Sequence, residues 1–156
     1  MARTPVNVLV LPYKKEGFDL LFCIFKRKDV NIWQFVAGGG EDGETLIETA
    51  IRETYEETGI ISDDFIQLKS MTYAPVGHFS EKSQVLWGKE TIVVPIYTFA
   101  VLCKSTANVT ISDEHTNFKW CSFDEAMQLL HFDLDKTAMY ELNEMHIRNL
   151  LIKTEN

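Results

Sequence analysis

The sequence predicts an α/β (α+β) fold, a sandwich with helices packed on a central mixed sheet. Three observations lead there. Short β-type runs are interspersed with stretches of helical period, the pattern of layered α/β architectures. The 156 residues suit one domain, so residues 1–156 read as a single unit. The composition, 46% hydrophobic and 24% charged, is that of an ordinary soluble globular chain.

Taken in order, 6–12 (VNVLVLP) and 19–25 (DLLFCIF) are β-type runs separated by the turn-prone KKEG. Trp33–Val36 is a brief third run, and Gly38-Gly39-Gly40 after it reads as a turn. Residues 44–58 predict a helix ended by Gly59, a natural residue just past a helix end. Strands are expected at 65–73 and 91–102, the second rich in β-branched and aromatic residues. The segment 74–90 has no clear period and reads as a loop or irregular hairpin. A short strand at 117–121 leads to Ser122, whose spacing to Glu125 predicts a capping box for a helix over 123–131. Apolar residues at helical spacing from 135 to 152 predict a closing helix. The strand 91–102 and that helix are the surfaces a homodimer would use.

No stretch approaches about 20 uninterrupted apolar residues, so no membrane span is expected. The N-terminal run lacks a signal-peptide core and cleavage site. Cys23, Cys103 and Cys121 are odd in number, far apart and set among apolar neighbours, which points to reduced core thiols and a cytoplasmic setting.

The formal net charge is −8, which argues against long nucleic acid or an anionic membrane as partner. Its location says more. Between 41 and 57 stand Glu41, Asp42, Glu44, Glu48, Glu53, Glu56 and Glu57 against Arg52 alone. A helical wheel gathers Leu46, Ile47, Ala50, Ile51 and Thr54 on one face, with Glu57 inside it and Glu53 and Glu56 on its border. Carboxylates at these spacings repel, and the C-terminal turns of a helix disfavour anions. A partly buried acid cluster must protonate or find cations, and an all-oxygen donor set selects a hard ion such as Mg²⁺ or Mn²⁺. A solvated helix braced by Glu48–Arg52 and Arg52–Glu56 pairs is the plainer reading. It accounts for Arg52 and leaves Glu57 unexplained.

The run from Gly38 to Ile60, GGGEDGETLIETAIRETYEETGI, resembles the Nudix box, G-x5-E-x7-R-E-U-x-E-E-x-G-U, where U is bulky aliphatic. All seven fixed letters are present, and Thr54 stands at one U position. Arg27 ahead of Trp33-Gln34, and Glu114-His115 ahead of Lys119-Trp120, are similar to the branch of dihydroneopterin triphosphate and dATP pyrophosphohydrolases. The resemblance implies a Nudix-type α/β/α sandwich and Mg²⁺-dependent hydrolysis of a nucleoside or pterin triphosphate to the monophosphate and pyrophosphate. It implies Gly38, Glu53, Glu56, Glu57 and Glu114 as metal ligands, with Glu53 or Glu114 as base. Arg52 would hold the carboxylates, and Glu44 would pair with it or support the loop. Arg27, Trp33 and Gln34 would contact substrate. For Glu114 a surface turn acid is the alternative, for Trp33 a core tryptophan, and for Arg27 a solvated loop. His115, Phe79 and Trp87 are further candidates for substrate contact.

Two rivals remain within the family. Pro75, 15 residues after Ile60, is placed as in ADP-ribose pyrophosphatases. The positions 16–18 residues after Ile60, where dinucleoside polyphosphate hydrolases carry tyrosine, are Val76, Gly77 and His78. A catalytically silent nucleotide sensor is the rival from another class, and the intact acid cluster speaks against it.

Overall fold

The alternation of the first strand decides the architecture. In β1 (Asn7–Glu16) Val8 and Val10 bury into one apolar cluster while Leu9, Leu11 and Tyr13 bury into another, so both faces of the sheet are covered. The protein is described here as a computed structural model over residues 4–151. After β1 come β2 (Asp19–Arg27), β3 (Trp33–Gln34), β4 (Val36–Gly39), α1 (Leu46–Thr58) and β5 (Phe65–Pro75). A 3-10 turn (Val76–His78), α2 (Glu81–Trp87), β6 (Val93–Leu102), β7 (His115–Cys121), α3 (Phe123–Leu129) and α4 (Asp133–Ile147) complete the described chain. The strands form a mixed sheet of order β3-β2-β1-β6-β5, with β4 paired to β1 and β7 to β2, and β1 and β6 running parallel. Helix α1 closes one face through Ala50. Helices α3 and α4 close the other through Ala126, Ala138, Met139 and Leu142. This is the sandwich of helices on a mixed sheet that the sequence predicts.

Several local expectations change. Gly38 and Gly39 do not turn; they continue β4, opposite Val8 and Asn7 of β1. Glycine serves there for close approach, because a Cβ on Gly38 would fall 2.0 Å from Cδ of Glu53. The segment read as a loop holds α2, capped by Ser80 Oγ accepting from the Ser83 amide at 3.2 Å. The capping box at α3 is half formed: Ser122 Oγ accepts from the Glu125 amide, but the Glu125 carboxylate pairs with Lys119 Nζ at 2.6 Å. Strand β6 lies between β1 and β5 and so has no free edge to offer a second copy. The closing helix begins at Asp133, two residues early, and ends at Ile147; residues 152–156 lie outside the described part. The three cysteines are buried and unpaired, as expected. No described helix is long and apolar enough to cross a membrane.

One irregularity matters for the site. Strand β5 breaks its register with β6 between Gln67 and Met71. The amides of Lys69 and Ser70 there donate to the Glu141 carboxylate of α4 at 2.7 and 2.9 Å. A bulge held this way turns Ser70 toward a cleft beside the sheet.

Candidate active site

The acid helix is fixed at both ends by its own sequence. Thr45 and Glu48 close a full capping box at its start, which takes Glu48 away from the expected pairing with Arg52. Gly59, with φ of 72°, ends it in the left-handed conformation that glycine adopts without strain. The buried face holds Thr49, Ala50, Thr54, Glu57 and Thr58, whereas Ile47 and Ile51 are partly exposed. The buried face is thus rotated by about 40° from the apolar stripe of the wheel, toward Thr49 and Glu57, and buried threonines carry part of the packing. Thr54 fits its aliphatic position because its hydroxyl donates to the Ala50 carbonyl at 2.7 Å.

Arg52 is the hub. Its Nε donates to Glu44 Oε2 at 2.7 Å and its Nη2 to Glu44 Oε1 at 3.0 Å, a bidentate fork. The same Nη2 reaches the Gly39 carbonyl at 2.8 Å, and Nη1 reaches Glu53 at 3.0 Å and Glu56 at 3.2 Å. Glu44 also accepts from the Glu41 amide and the Thr49 hydroxyl. The Arg52 guanidinium, ahead of these neutral donors, holds the Glu44 carboxyl down to about 2.

The other carboxylates are not so provided for. Glu53 is pushed up by burial, with the Arg52 contact pulling the other way. Glu57 is 3% exposed, and its Oε2 has no hydrogen-bond partner. Burial first, then the Glu114 carboxyl beside it, then the Glu53 charge push Glu57 up to about 10, against the pull of the Ala37 amide. Glu114 lies in the turn before β7, so a residue 57 positions distant joins the cluster. Among the described residues no three His, Cys, Asp or Glu side chains form a ready metal cage. Glu56 is drawn out to Arg52, and Glu57 and Glu114 stand as mutually repelling or proton-sharing acids.

Glu57 and Glu114 border a cleft of about 1160 Å³. Glu57, Glu114, Arg27, Gln34 and His115 line it; Gly38, Glu53 and Glu56 do not. Arg27 is held by Asp29 through two hydrogen bonds, one of 2.9 Å from Nε. His115 is buried, its Nδ1 has no partner, and burial holds its imidazole below the usual range. Trp33 is not in the cleft; it packs against the apolar cluster under α3 and α4. Successive side chains of an extended strand point apart, so placing Gln34 in the cleft sends Trp33 elsewhere. Phe79 lines the cleft, and Trp87 supports it edge-on with centroids 5.4 Å apart.

Sequence reasoning missed Asp135. It is 2% exposed and lines the cleft, and its Oδ2 accepts from the Phe35 amide at 2.9 Å. Burial pushes its carboxyl up to about 7. Its only sequence signal is an acid in the first turn of a helix, which is common on any surface.

The edge of β4 ties these groups together. Gly40 donates to Val6 at 3.1 Å, so the even-numbered positions of this segment face β1. The odd-numbered ones face away. Along that outer edge the Phe35 amide meets Asp135, the Ala37 amide favours the Glu57 charge, and the Gly39 carbonyl meets Arg52.

A NUDIX domain model matches residues 3–142. The asymmetrical bis(5'-nucleosyl)-tetraphosphatase of Rattus norvegicus is 31% identical over 129 residues, 82% of either chain. The dihydroneopterin triphosphate diphosphatase of Escherichia coli is 38% identical, but over 58 residues, 37% of this chain and 38% of that one. A Listeria monocytogenes structure assigned as a NUDIX hydrolase superposes with TM-score 0.83 at 41% identity, covering 97% of this chain and 100% of that one.

Proposed function

Since the chain belongs to the Nudix family and is a hydrolase of phosphoanhydride bonds, we propose that it cleaves a dinucleoside polyphosphate asymmetrically, with Mg²⁺ or Mn²⁺ as its ion. The observation that carries the metal-dependent site is Glu57: a buried carboxylate oxygen without a donor, grouped with Glu53 and Glu114. The donor set fits a hard divalent ion because every candidate ligand is an oxygen. Glu53, Glu56, Glu57 and Glu114, with the Gly38 carbonyl, would hold it. When bound, such an ion neutralises phosphate charge and makes an attacking water more acidic.

The residues of the chain do the rest. Arg52 aims Glu53 and Glu56 through its fork and holds the loop through Glu44 and Gly39, a positioning role. Glu53, its proton affinity raised by burial, or Glu114 takes the proton from the water. Arg27 binds phosphate once it exchanges Asp29 for the substrate, and the unpaired His115 nitrogen supplies a further polar contact. Gln34 and Phe79 meet the nucleoside part.

The dinucleoside substrate is favoured over a pterin or nucleoside triphosphate by the length of the match to the tetraphosphatases, 129 residues against 58. The cleft is also at the upper end of ligand-site volumes, which leaves room for a second nucleoside. The absence of tyrosine at 76–78 speaks the other way; Tyr73, exposed on the cleft wall, offers an aromatic face close by. Incubation with dinucleoside tetraphosphate, nucleoside triphosphates, dihydroneopterin triphosphate and ADP-ribose, each with Mg²⁺, followed by product identification, tests this. A mono- plus a triphosphate from the dinucleoside supports it. Pyrophosphate release from a triphosphate alone moves the assignment to that branch. Binding without turnover of any compound makes the chain a sensor.

A further inference from the structure

A nucleotide hydrolase needs to read its base as well as hold its phosphates, and the acid cluster serves only the second task. The cleft carries one other deeply buried acid. Asp135 lies in the first turn of α4 between the apolar cleft residues Leu134 and Phe132 on one side and Thr137 on the other. Its Oδ2 is taken by the Phe35 amide, its own backbone amide is the one further group that favours its charge, and no side chain of the described residues donates to this carboxylate. As a clamp on Phe35 alone, an aspartate is a poor choice. Asparagine offers the same carbonyl acceptor without a buried charge, whose desolvation these backbone contacts do not offset. The carboxylate has a second oxygen, and the cleft is where that oxygen finds a donor.

Its position suits this task. Asp135 and Glu57 are matched to the Phe35 and Ala37 amides, which stand two residues apart on the outer edge of the β4 segment. In extended chain that is about 7 Å, a separation on the order of one nucleoside. A molecule whose phosphates lie at Glu57 and Glu114 therefore brings its base toward Asp135, past the apolar walls of Leu9, Ile96 and Leu134.

We propose that Asp135 is a specificity residue whose free oxygen accepts a hydrogen bond from the exocyclic amino group of a nucleobase, so that the enzyme selects amino-bearing bases over their oxo counterparts. This rests on the nucleotide-hydrolase reading above and adds the base class to it. A purine with an amino group, adenine or guanine, donates to this oxygen. Hypoxanthine lacks the amino group; in place of the adenine amine it presents a carbonyl, which repels a carboxylate and leaves only the ring N1–H to donate on that edge. Failures of this kind commonly change selectivity tenfold to a hundredfold.

The test compares kcat/KM for adenosine, guanosine and inosine forms of the same polyphosphate, with wild type and Asp135→Asn. The wild type is expected to prefer an amino-bearing base over inosine by about tenfold or more. The variant keeps a carbonyl for Phe35 and turns an amide NH₂ to the cleft, so its preference should collapse or invert toward inosine while thermal stability is kept. AMP and IMP binding by calorimetry gives the same comparison without turnover. A wild type indifferent to the amino group overturns the proposal whether or not the variant folds. So does a folded variant with unchanged selectivity. If no polyphosphate is hydrolysed with any base, the hydrolase reading falls and the proposal with it, a result distinct from turnover without selectivity.

Discussion

Glu44 and Asp135 are both acids close to β4, and their carboxyls stand about five pH units apart, near 2 and near 7. Glu44 receives a bidentate arginine fork, a backbone amide and a hydroxyl. Asp135 receives the Phe35 amide and the pull of its own backbone amide, and no side-chain donor or cation. The first region is finished within the chain; its charge is matched by Arg52. The second, and Glu57 with it, is left short of donors and faces a cleft. Acids satisfied from inside build the site, and acids left unsatisfied are the ones a ligand completes.

Four substitutions test the difference between these two regions. The largest effect is expected at Glu57. Glu57→Gln should lower kcat by about 10³-fold or more, roughly 4 kcal/mol of barrier, while the melting temperature holds, because burial already keeps this carboxyl uncharged and glutamine has the same shape. Unchanged turnover would show that Glu57 is not part of the reacting site. Next is Arg52→Met, which should behave in the opposite sense. Leaving Glu44 and the Gly39 carbonyl without their partner should cost on the order of 3 kcal/mol in urea denaturation. A variant as stable as wild type would show that the fork is ornamental.

Third is the pH dependence at Asp135. Its folded-state value lies above its ordinary one, so the stabilisation is complete below about pH 4 and is lost as pH rises to about 7. Asp135→Asn should therefore gain on wild type across that window, by about 2 kcal/mol at pH 8; parallel stability curves would contradict the burial argument. Smallest is Glu44→Gln. The folded value of Glu44 is depressed, so its contribution is present above about pH 4.5 and is lost as pH falls toward 2. The variant should lose about 1 kcal/mol at neutral pH, since Arg52 keeps three other acceptors, and the gap to wild type should close in acid.

The parts legible in the sequence are those whose determinants are local. The acid helix, its glycine end and the gathering of Glu53, Glu56, Glu57 and Arg52 follow from spacing on one element. Glu114 could be named only through resemblance, because its place beside Glu57 depends on β7 pairing with β2. Helix α2 carries a serine cap and a glycine end that could have exposed it, but its seven residues are too short for a period. The glycine run misled because glycine admits two meanings, a turn or a close approach, and only the position of Glu53 decides between them. Trp33 and Gln34 are adjacent letters whose faces are set by pairing across the sheet. Asp135 was out of reach, since its meaning comes from a contact across a separation of 100 residues.

The outer edge of β4 has a consequence for solubility. A strand paired on one side only exposes amides and carbonyls that can recruit a strand from another chain. Here that edge is met by an aspartate, a glutamate and an arginine reaching in from two elements of the fold: the first turn of α4, and the end and the middle of α1. Charged groups planted on the edge leave no continuous ladder for a neighbour to extend. Two of these three side chains, Asp135 and Glu57, also line the reacting cleft; together with Arg52 they guard the chain against edge-to-edge aggregation, and variants stripped of them should be watched for it.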